Sequence, residues 1–209
     1  MPPSFQLCYI TDRVALAPRE LLPRVAGAAR AGIDLIQIRE KDLPTRQLGD
    51  LVSRALASLA GAGTATHLVV NDRLDVALAL GAHGVHLGTR SLPARAVRRI
   101  VPAEFLVGVS CHSLDEAREA EAAGADYLLL GPIFETPSKL PYGPPLGLDA
   151  LKKVTAQCKV PVLALGGVTV ERVRACLDAG ATGIAGISLF QNCDSLDDRV
   201  RELRVQCEM

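Results

Sequence analysis

Three residues that bear hydroxyls or a cation, Thr136, Ser138 and Lys139, fall within four positions of a stretch rich in Pro and Gly that runs from 131 to 147. Hydroxyls donate to phosphate oxygens and a lysine supplies a point charge, so the chemistry suits a polyanion. Gln37, Arg39 and Lys41 recur at period two, which puts their side chains on one face of an extended segment. Arg39 and Lys41 would then address one anion; in the alternative, both are surface cations salt-bridged around Glu40. Gly166-Gly167 and Gly186 let backbone N–H groups approach a ligand closely. Asp72 is the candidate metal ligand, because Mg²⁺ suits one or two carboxylates with phosphate oxygens and waters. The alternative for Asp72 is an N-cap on the helix that follows. Cys111 and His112 are adjacent, but neighbouring side chains on a strand point to opposite faces, so Cys111 is expected to be a buried, inert thiol.

These residues need elements to position them, and the period of the apolar residues supplies a repeated strand-then-helix unit. Strands are predicted at 7–10, 35–38, 67–70, 84–87, 106–110, 127–130, 160–165 and 183–187. Helices are predicted over 20–31, from Thr45 to about Ala60, over 73–80, 95–100, from Ser113 to Gly124, over 148–157, from Thr169 to Gly180, and over 196–205. Thr45 and Thr169 are read as N-caps, and Ser113 with Glu116 has capping-box spacing. The strands are nearly continuously apolar, as parallel strands covered on both faces require. The fold class is therefore α/β, a single (β/α)8 TIM barrel filling residues 1–209, and slightly over 200 residues makes a minimal one. An open doubly wound sheet is the runner-up, but no G-x-G-x-x-G follows the first strand.

In such barrels chemistry sits at the carboxyl ends of the strands. Those ends carry Thr11-Asp12; Gln37, Arg39 and Lys41; Asn71-Asp72; His86 and Ser91; Ser110 and His112; Thr136, Ser138 and Lys139; Gly166-Gly167; and Gly186-Ile187-Ser188. The opposite ends carry mostly helix-terminating Gly and Ala. Two anion sites emerge. One is a glycine-lined monophosphate cradle after strands seven and eight, where these barrels often bind phosphate. The other is the cationic group Arg39, Lys41 and Lys139 with Asp72 nearby, suited to pyrophosphate and a metal. A barrel holding both implies transfer of a group between two small phosphorylated molecules. The loop 131–147 reads as a lid joining the two sites.

Zero formal net charge and 3% aromatic residues argue against nucleic acid and an anionic membrane as partners. No signal peptide or membrane-length apolar run is visible, and the six cysteines form no C-x-x-C pair, so a cytoplasmic protein with reduced thiols is expected. Oligomeric state is open, a homo-oligomer included.

The chain resembles the thiamine phosphate synthase and thiazole tautomerase superfamily over nearly its whole length. The resemblance is carried by 9–12 (YITD), 37–41 (QIREK), 71–73 (NDR), 84–88 (GVHLG), 108–112 (GVSCH), 131–134 (GPIF), 136–139 (TPSK) and 164–168 (ALGGV). It implies joining 4-amino-5-hydroxymethyl-2-methylpyrimidine pyrophosphate to a thiazole phosphate, with pyrophosphate departing first. Carried onto this chain, Gln37, Arg39, Lys41, Asn71 and Lys139 would hold the pyrophosphate and Asp72 would ligate Mg²⁺. Ser110 would lie near the reacting centre, with His86 in the substrate-binding set. Thr136 and Ser138 would contact the phosphates, and Gly167 with Ile187-Ser188 would take the thiazole phosphate. Ser110, Lys139 and His112 form the catalytic set. One departure stands out: Ser91 occupies the position of a second metal-binding Asp. Mg²⁺ would then rest on Asp72, pyrophosphate and waters, with Asp75 as a further carboxylate. The departure also resembles the tautomerase branch, in which His112 would be the acid or base of a metal-free isomerisation. A non-catalytic barrel that binds thiamine phosphate is the third reading. The retained Gln37, Arg39, Lys41, Asn71 and Asp72 favour the synthase.

Overall fold

Every strand of this chain must hide two faces, and it does so by curling the sheet into a closed ring. The computed structural model describes residues 5–136 and 144–208. Its strands are β1 (Leu7–Ile10), β2 (Leu35–Ile38), β3 (His67–Asn71), β4 (Gly84–Leu87), β5 (Leu106–Cys111), β6 (Tyr127–Leu130), β7 (Val162–Leu165) and β8 (Gly183–Gly186). They pair in parallel in sequence order, and β1 closes on β8 with Leu7 opposite Ile184. Around the ring lie α1 (Arg13–Leu16), α2 (Leu21–Arg30), α3 (Thr45–Ala62), α4 (Leu74–Leu80), α5 (Ala94–Arg98), α6 (Leu114–Ala122), α7 (Gly147–Thr155), α8 (Val170–Asp178), α9 (Ser188–Gln191) and α10 (Leu196–Glu208). This is the (β/α)8 barrel the periodicity predicts, with short extra helices after β1 and β8.

Alternate residues of each strand serve two cores. The outward set, including Leu7, Tyr9, Ile36, Leu68, Val70 and Val107, packs against helix stripes such as Val25, Ala28, Val52 and Ala55. The inward set, Cys8, Ile10, Leu35, Val69, Leu106, Tyr127, Leu129, Leu163 and Ala185, fills the ring. Inward positions nearer the carboxyl ends are polar: Gln37, Asn71, His86 and Ser110. The apolar plug thus forms the floor of a polar mouth.

A charged cluster at the amino-terminal end of the barrel ties the start of β1 to the last helix. The Asp34 carboxylate accepts from the N–H groups of Gln6 and Leu7, each at 2.9 Å, and from Arg204 on α10 at 2.6 Å. Local capping departs from the expected pattern in places. Thr45 is the first helical residue of α3, preceded by Pro44, and its hydroxyl accepts from Arg73 at 3.0 Å instead of capping. Thr169 stands at the N-cap of α8 without a side-chain cap bond. Ser113 does cap α6, accepting from the Glu116 N–H at 3.1 Å. Glu116 reaches past Ser113 to the N–H of His112 at 2.7 Å. Asp12 caps α1, accepting from the Ala15 N–H. Among the described residues no helix is long and apolar enough to cross a membrane.

Candidate active site

The loop after β2 carries the first cations, and a buried carboxylate anchors it. Glu40 is 6% exposed. It accepts from the Thr11 hydroxyl at 2.6 Å and from the Arg13 N–H at 3.1 Å, while Thr11 in turn accepts from the Arg39 N–H at 2.9 Å. Glu40 therefore binds the β1 loop, which removes the reading in which Arg39 is a surface cation paired with it. The Arg39 guanidinium forms no hydrogen bond or ion pair among the described residues. Lys41, two residues on, is exposed at the same mouth.

Deeper in the mouth, Gln37 is 2% exposed and donates through Nε2 to Asn71 Oδ1 at 2.9 Å. Its Oε1 is buried without a partner. A buried acceptor left unpaired costs about 1–3 kcal/mol, so this atom is poised to receive a donor. With Asn71 Oδ1 taken by Gln37, its amide N–H groups have no partner among the described residues.

Asp72 follows at the end of β3 with φ +64, the one non-glycine residue with left-handed backbone among those described. Its N–H donates to the His86 carbonyl at 2.8 Å. The carboxylate is exposed and caps nothing: α4 starts at Leu74 with Arg73 at its N-cap and no side-chain cap bond. The N-cap alternative is thereby removed. A backbone held in a sparsely populated region so that a carboxylate stands unpaired at the mouth favours a ligand role. Asp75 is not available to help. It forms a two-pronged ion pair with Arg73, at 2.9 and 2.5 Å. Ser91 is likewise engaged, its hydroxyl accepting from the Gly88 N–H at 2.8 Å to close a turn. Among the described residues no group of three or more His, Cys, Asp and Glu side chains converges to hold a metal unaided.

His86 is 1% exposed and both ring nitrogens are occupied. Nε2 lies 2.8 Å from Ser110 Oγ and Nδ1 lies 3.1 Å from Tyr127 Oη. Burial, aided by the Arg39 charge, pushes its pKa down to about 3, so the ring is neutral in any ordinary buffer. His86 therefore sits behind Ser110, with both ring nitrogens turned to protein partners. Tyr127 is not among the site residues expected from sequence. A tyrosine inside an apolar strand reads as core, and only the placement of its hydroxyl reveals the link.

Cys111 points into the outer core at 1% exposure, and burial raises its thiol to about 12, as an inert cysteine requires. His112 points the other way, partly exposed, and pairs with Glu116 at 3.2 Å. Among the described contacts it touches neither Ser110 nor Asp72.

Across the mouth, Gly166 and Gly167 have φ of +93 and +64. A Cβ on Gly167 would lie 2.5 Å from the Glu135 carbonyl, so the turn after β7 and the strand-six loop meet where no side chain fits. Ile187 and Ser188 lead into α9, where the Ile187 carbonyl accepts from the Phe190 and Gln191 N–H groups at 3.1 and 2.9 Å. Arg24 holds the other end of this helix, donating to the Phe190, Gln191 and Cys193 carbonyls. Thr136 is partly buried beside this region, whereas Ser138 and Lys139 lie outside the described residues.

A family model described as thiamine monophosphate synthase matches residues 7–190. The chain is 42% identical over 202 residues to a thiamine-phosphate synthase of Moorella thermoacetica, covering 97% of this chain and 95% of that one. It is 36% identical over 201 residues to a thiamine-phosphate synthase of Syntrophomonas wolfei, with 96% and 95% covered. Among solved structures, a thiamine phosphate pyrophosphorylase from Pyrococcus furiosus superposes with a TM-score of 0.86 at 35% identity, over 98% of this chain and 96% of that one.

Proposed function

The chain belongs to the thiamine monophosphate synthase family, a transferase family, and from that premise we propose how its barrel mouth makes thiamine phosphate from a pyrimidine-methyl pyrophosphate and a thiazole phosphate. The bond that breaks joins the pyrimidine methylene carbon to the pyrophosphate oxygen. The bond that forms joins that carbon to the thiazole nitrogen. Pyrophosphate leaves with the electron pair, so the protein must above all stabilise a developing anion at fixed positions. Arg39 suits this role, because its guanidinium is uncommitted among the described residues and its backbone is pinned through Thr11. Lys41 and Lys139 add charge, and the Asn71 amide donates to the same oxygens. Gln37 takes a different assignment from the pyrophosphate contact expected from sequence. Its free atom is an acceptor, which repels phosphate oxygens but suits the 4-amino group of the pyrimidine.

Mg²⁺ fits this donor set as a substrate-borne cation. Asp72 offers one unpaired carboxylate and pyrophosphate offers the remaining charge, which matches the habit of Mg²⁺ to bind through one or two carboxylates, phosphate oxygens and water. Bound there, the ion would neutralise charge on the leaving group. The thiazole phosphate is assigned to Gly167, Ile187 and Ser188, with Thr136 and Ser138 between the two anions. The partners are thus small phosphorylated molecules.

The observation that carries this reading is Asp72, a carboxylate held on left-handed backbone and unpaired among the described residues, at the same mouth as an Arg39 guanidinium that is likewise uncommitted among them. An isomerase working on one phosphorylated thiazole would need neither. The test is to incubate the purified protein with both substrates, with and without Mg²⁺, and measure thiamine phosphate. Mg²⁺-dependent product is expected, and Asp72→Ala should lower turnover on the order of a hundredfold, as removal of one preorganised charge does. No product under any condition overturns the reading.

A further inference from the structure

We propose that Tyr127 and His86 are positioning residues that hold Ser110 as a hydrogen-bond donor toward an acceptor atom of the pyrimidine pyrophosphate, an inference that rests on the synthase reading above. The three side chains form a line from the floor of the barrel to its mouth. Tyr127 is fully buried, and its only hydrogen-bond partner among the described residues is His86 Nδ1, at 3.1 Å. Burial raises its phenol well above the ordinary value, so the hydroxyl keeps its proton and must find an acceptor for it. If Nδ1 carried the ring proton, an N–H would face an O–H, and the phenolic proton would be orphaned in the plug. The penalty would be that of a buried unsatisfied donor. The phenol therefore donates to Nδ1. A neutral imidazole has one proton, so it sits on Nε2 and is donated to Ser110 Oγ at 2.8 Å. Ser110 has then accepted from below. Its own proton is free, and the half-buried hydroxyl at the top of β5 has only the mouth to point it into.

The sequence builds this line with a glycine. Gly108 on β5 lies opposite His86 on β4 and opposite Tyr127 on β6 in the strand register. Any Cβ there would overlap the Tyr127 ring. Its absence lets the two rings meet, with centroids 5.6 Å apart. Two residues on, the same inward face presents Ser110. The line serves one direction of hydrogen bonding only. The substrate atom meeting Ser110 must be an acceptor, such as a ring nitrogen or an ester or phosphate oxygen, and an amino group there would meet a donor.

The first test needs no substrate. Nitrogen NMR of the histidine rings in the ligand-free protein should show His86 protonated at Nε2 and bare at Nδ1; a proton on Nδ1 at neutral pH overturns the proposal. The second test is kinetic. Tyr127→Phe should lower kcat/KM for the pyrimidine pyrophosphate about tenfold, the scale of one hydrogen bond, with KM for the thiazole phosphate unchanged. His86→Gln, which retains an N–H near Nε2, should keep more activity than His86→Leu. A merely structural role would leave the Gln and Leu variants equally impaired, and that result also overturns the proposal. Thermal melts identify any variant that fails to fold, in which case the ring tautomer and the remaining variants decide. A wild-type protein that makes no thiamine phosphate would instead sink the synthase reading, leaving the tautomer measurement to stand by itself.

Discussion

Ser91 and Asp72 between them decide how much charge the mouth would offer the proposed Mg²⁺. Asp72 is exposed, unpaired among the described residues and held at φ +64. Ser91 commits its hydroxyl to the Gly88 N–H, and Asp75 commits its carboxylate to Arg73. The free protein therefore offers Mg²⁺ a single carboxylate, too little charge for tight binding without phosphate oxygens. Titration calorimetry should find weak Mg²⁺ binding to the protein alone and stronger binding when pyrophosphate is present. Ser91→Asp should tighten the first of these about tenfold, the effect expected of one added carboxylate in a partly screened site. Unchanged Mg²⁺ affinity in that variant would show that position 91 faces away from the metal. At this scale the sequence names the residue types but not their commitments. Asp75 and Ser91 are as polar as Asp72, and only hydrogen-bond partners separate the three.

Turns, not strands, carry the side of the mouth proposed to take the thiazole phosphate. The segment after β7 passes through two left-handed glycines, and at the second the strand-six loop comes so close that a Cβ would lie 2.5 Å from a carbonyl oxygen. Gly167→Ala imposes a left-handed conformation that costs an L-residue roughly 1–2 kcal/mol, together with that overlap. The turn must shift. The expected outcome is a KM for the thiazole phosphate raised on the order of tenfold, with a smaller change in KM for the pyrimidine pyrophosphate. Steady-state kinetics with each substrate varied in turn checks it; equal effects on both would remove Gly167 from the cradle. Helix α9 belongs to the same scale. Its four residues are too few for a periodic pattern to be legible, so the sequence marks Ile187 and Ser188 without showing the helix they open.

For the molecule as a whole, the buried polar line through the barrel ties stability to pH. His86 has a folded-state pKa near 3 against an ordinary value of 6.5. The unfolded chain therefore binds a proton that the folded chain refuses across that window. Stability from this residue is fully present above about pH 6.5 and declines as pH falls toward 3, by up to several kcal/mol. Denaturant unfolding at a series of pH values should show this slope, and His86→Gln should flatten it. A slope unchanged in the variant would assign the acid sensitivity to other groups. The same line explains how the plug can be apolar below and polar above: the inward residues of β4 and β5 change from Gly84 and Leu106 to His86 and Ser110 within one or two inward positions.

By itself the sequence determined the barrel, because eight apolar runs at strand length, separated by helical periods, have few ways to hide both faces. It also determined which ends of the strands are polar, and so at which mouth the chemistry is expected. It placed Gln37, Arg39, Asn71, Asp72, Ser110 and Gly167 at that mouth on spacing alone. Tertiary structure decided what each of them has left to offer a ligand. Glu40 turns to Thr11 and Arg13, which frees Arg39 from it; Asp75 turns to Arg73; His86 closes over Tyr127 and turns its second nitrogen to Ser110. Apart from the local pair of Arg73 and Asp75, those choices join residues from 24 to 41 positions apart, as in the links from His86 to Ser110 and Tyr127, through strand register and the inward curl of the barrel. The physical reason is that chemical type is local to a residue, whereas an uncommitted donor, acceptor or charge is defined by every neighbour packed around it.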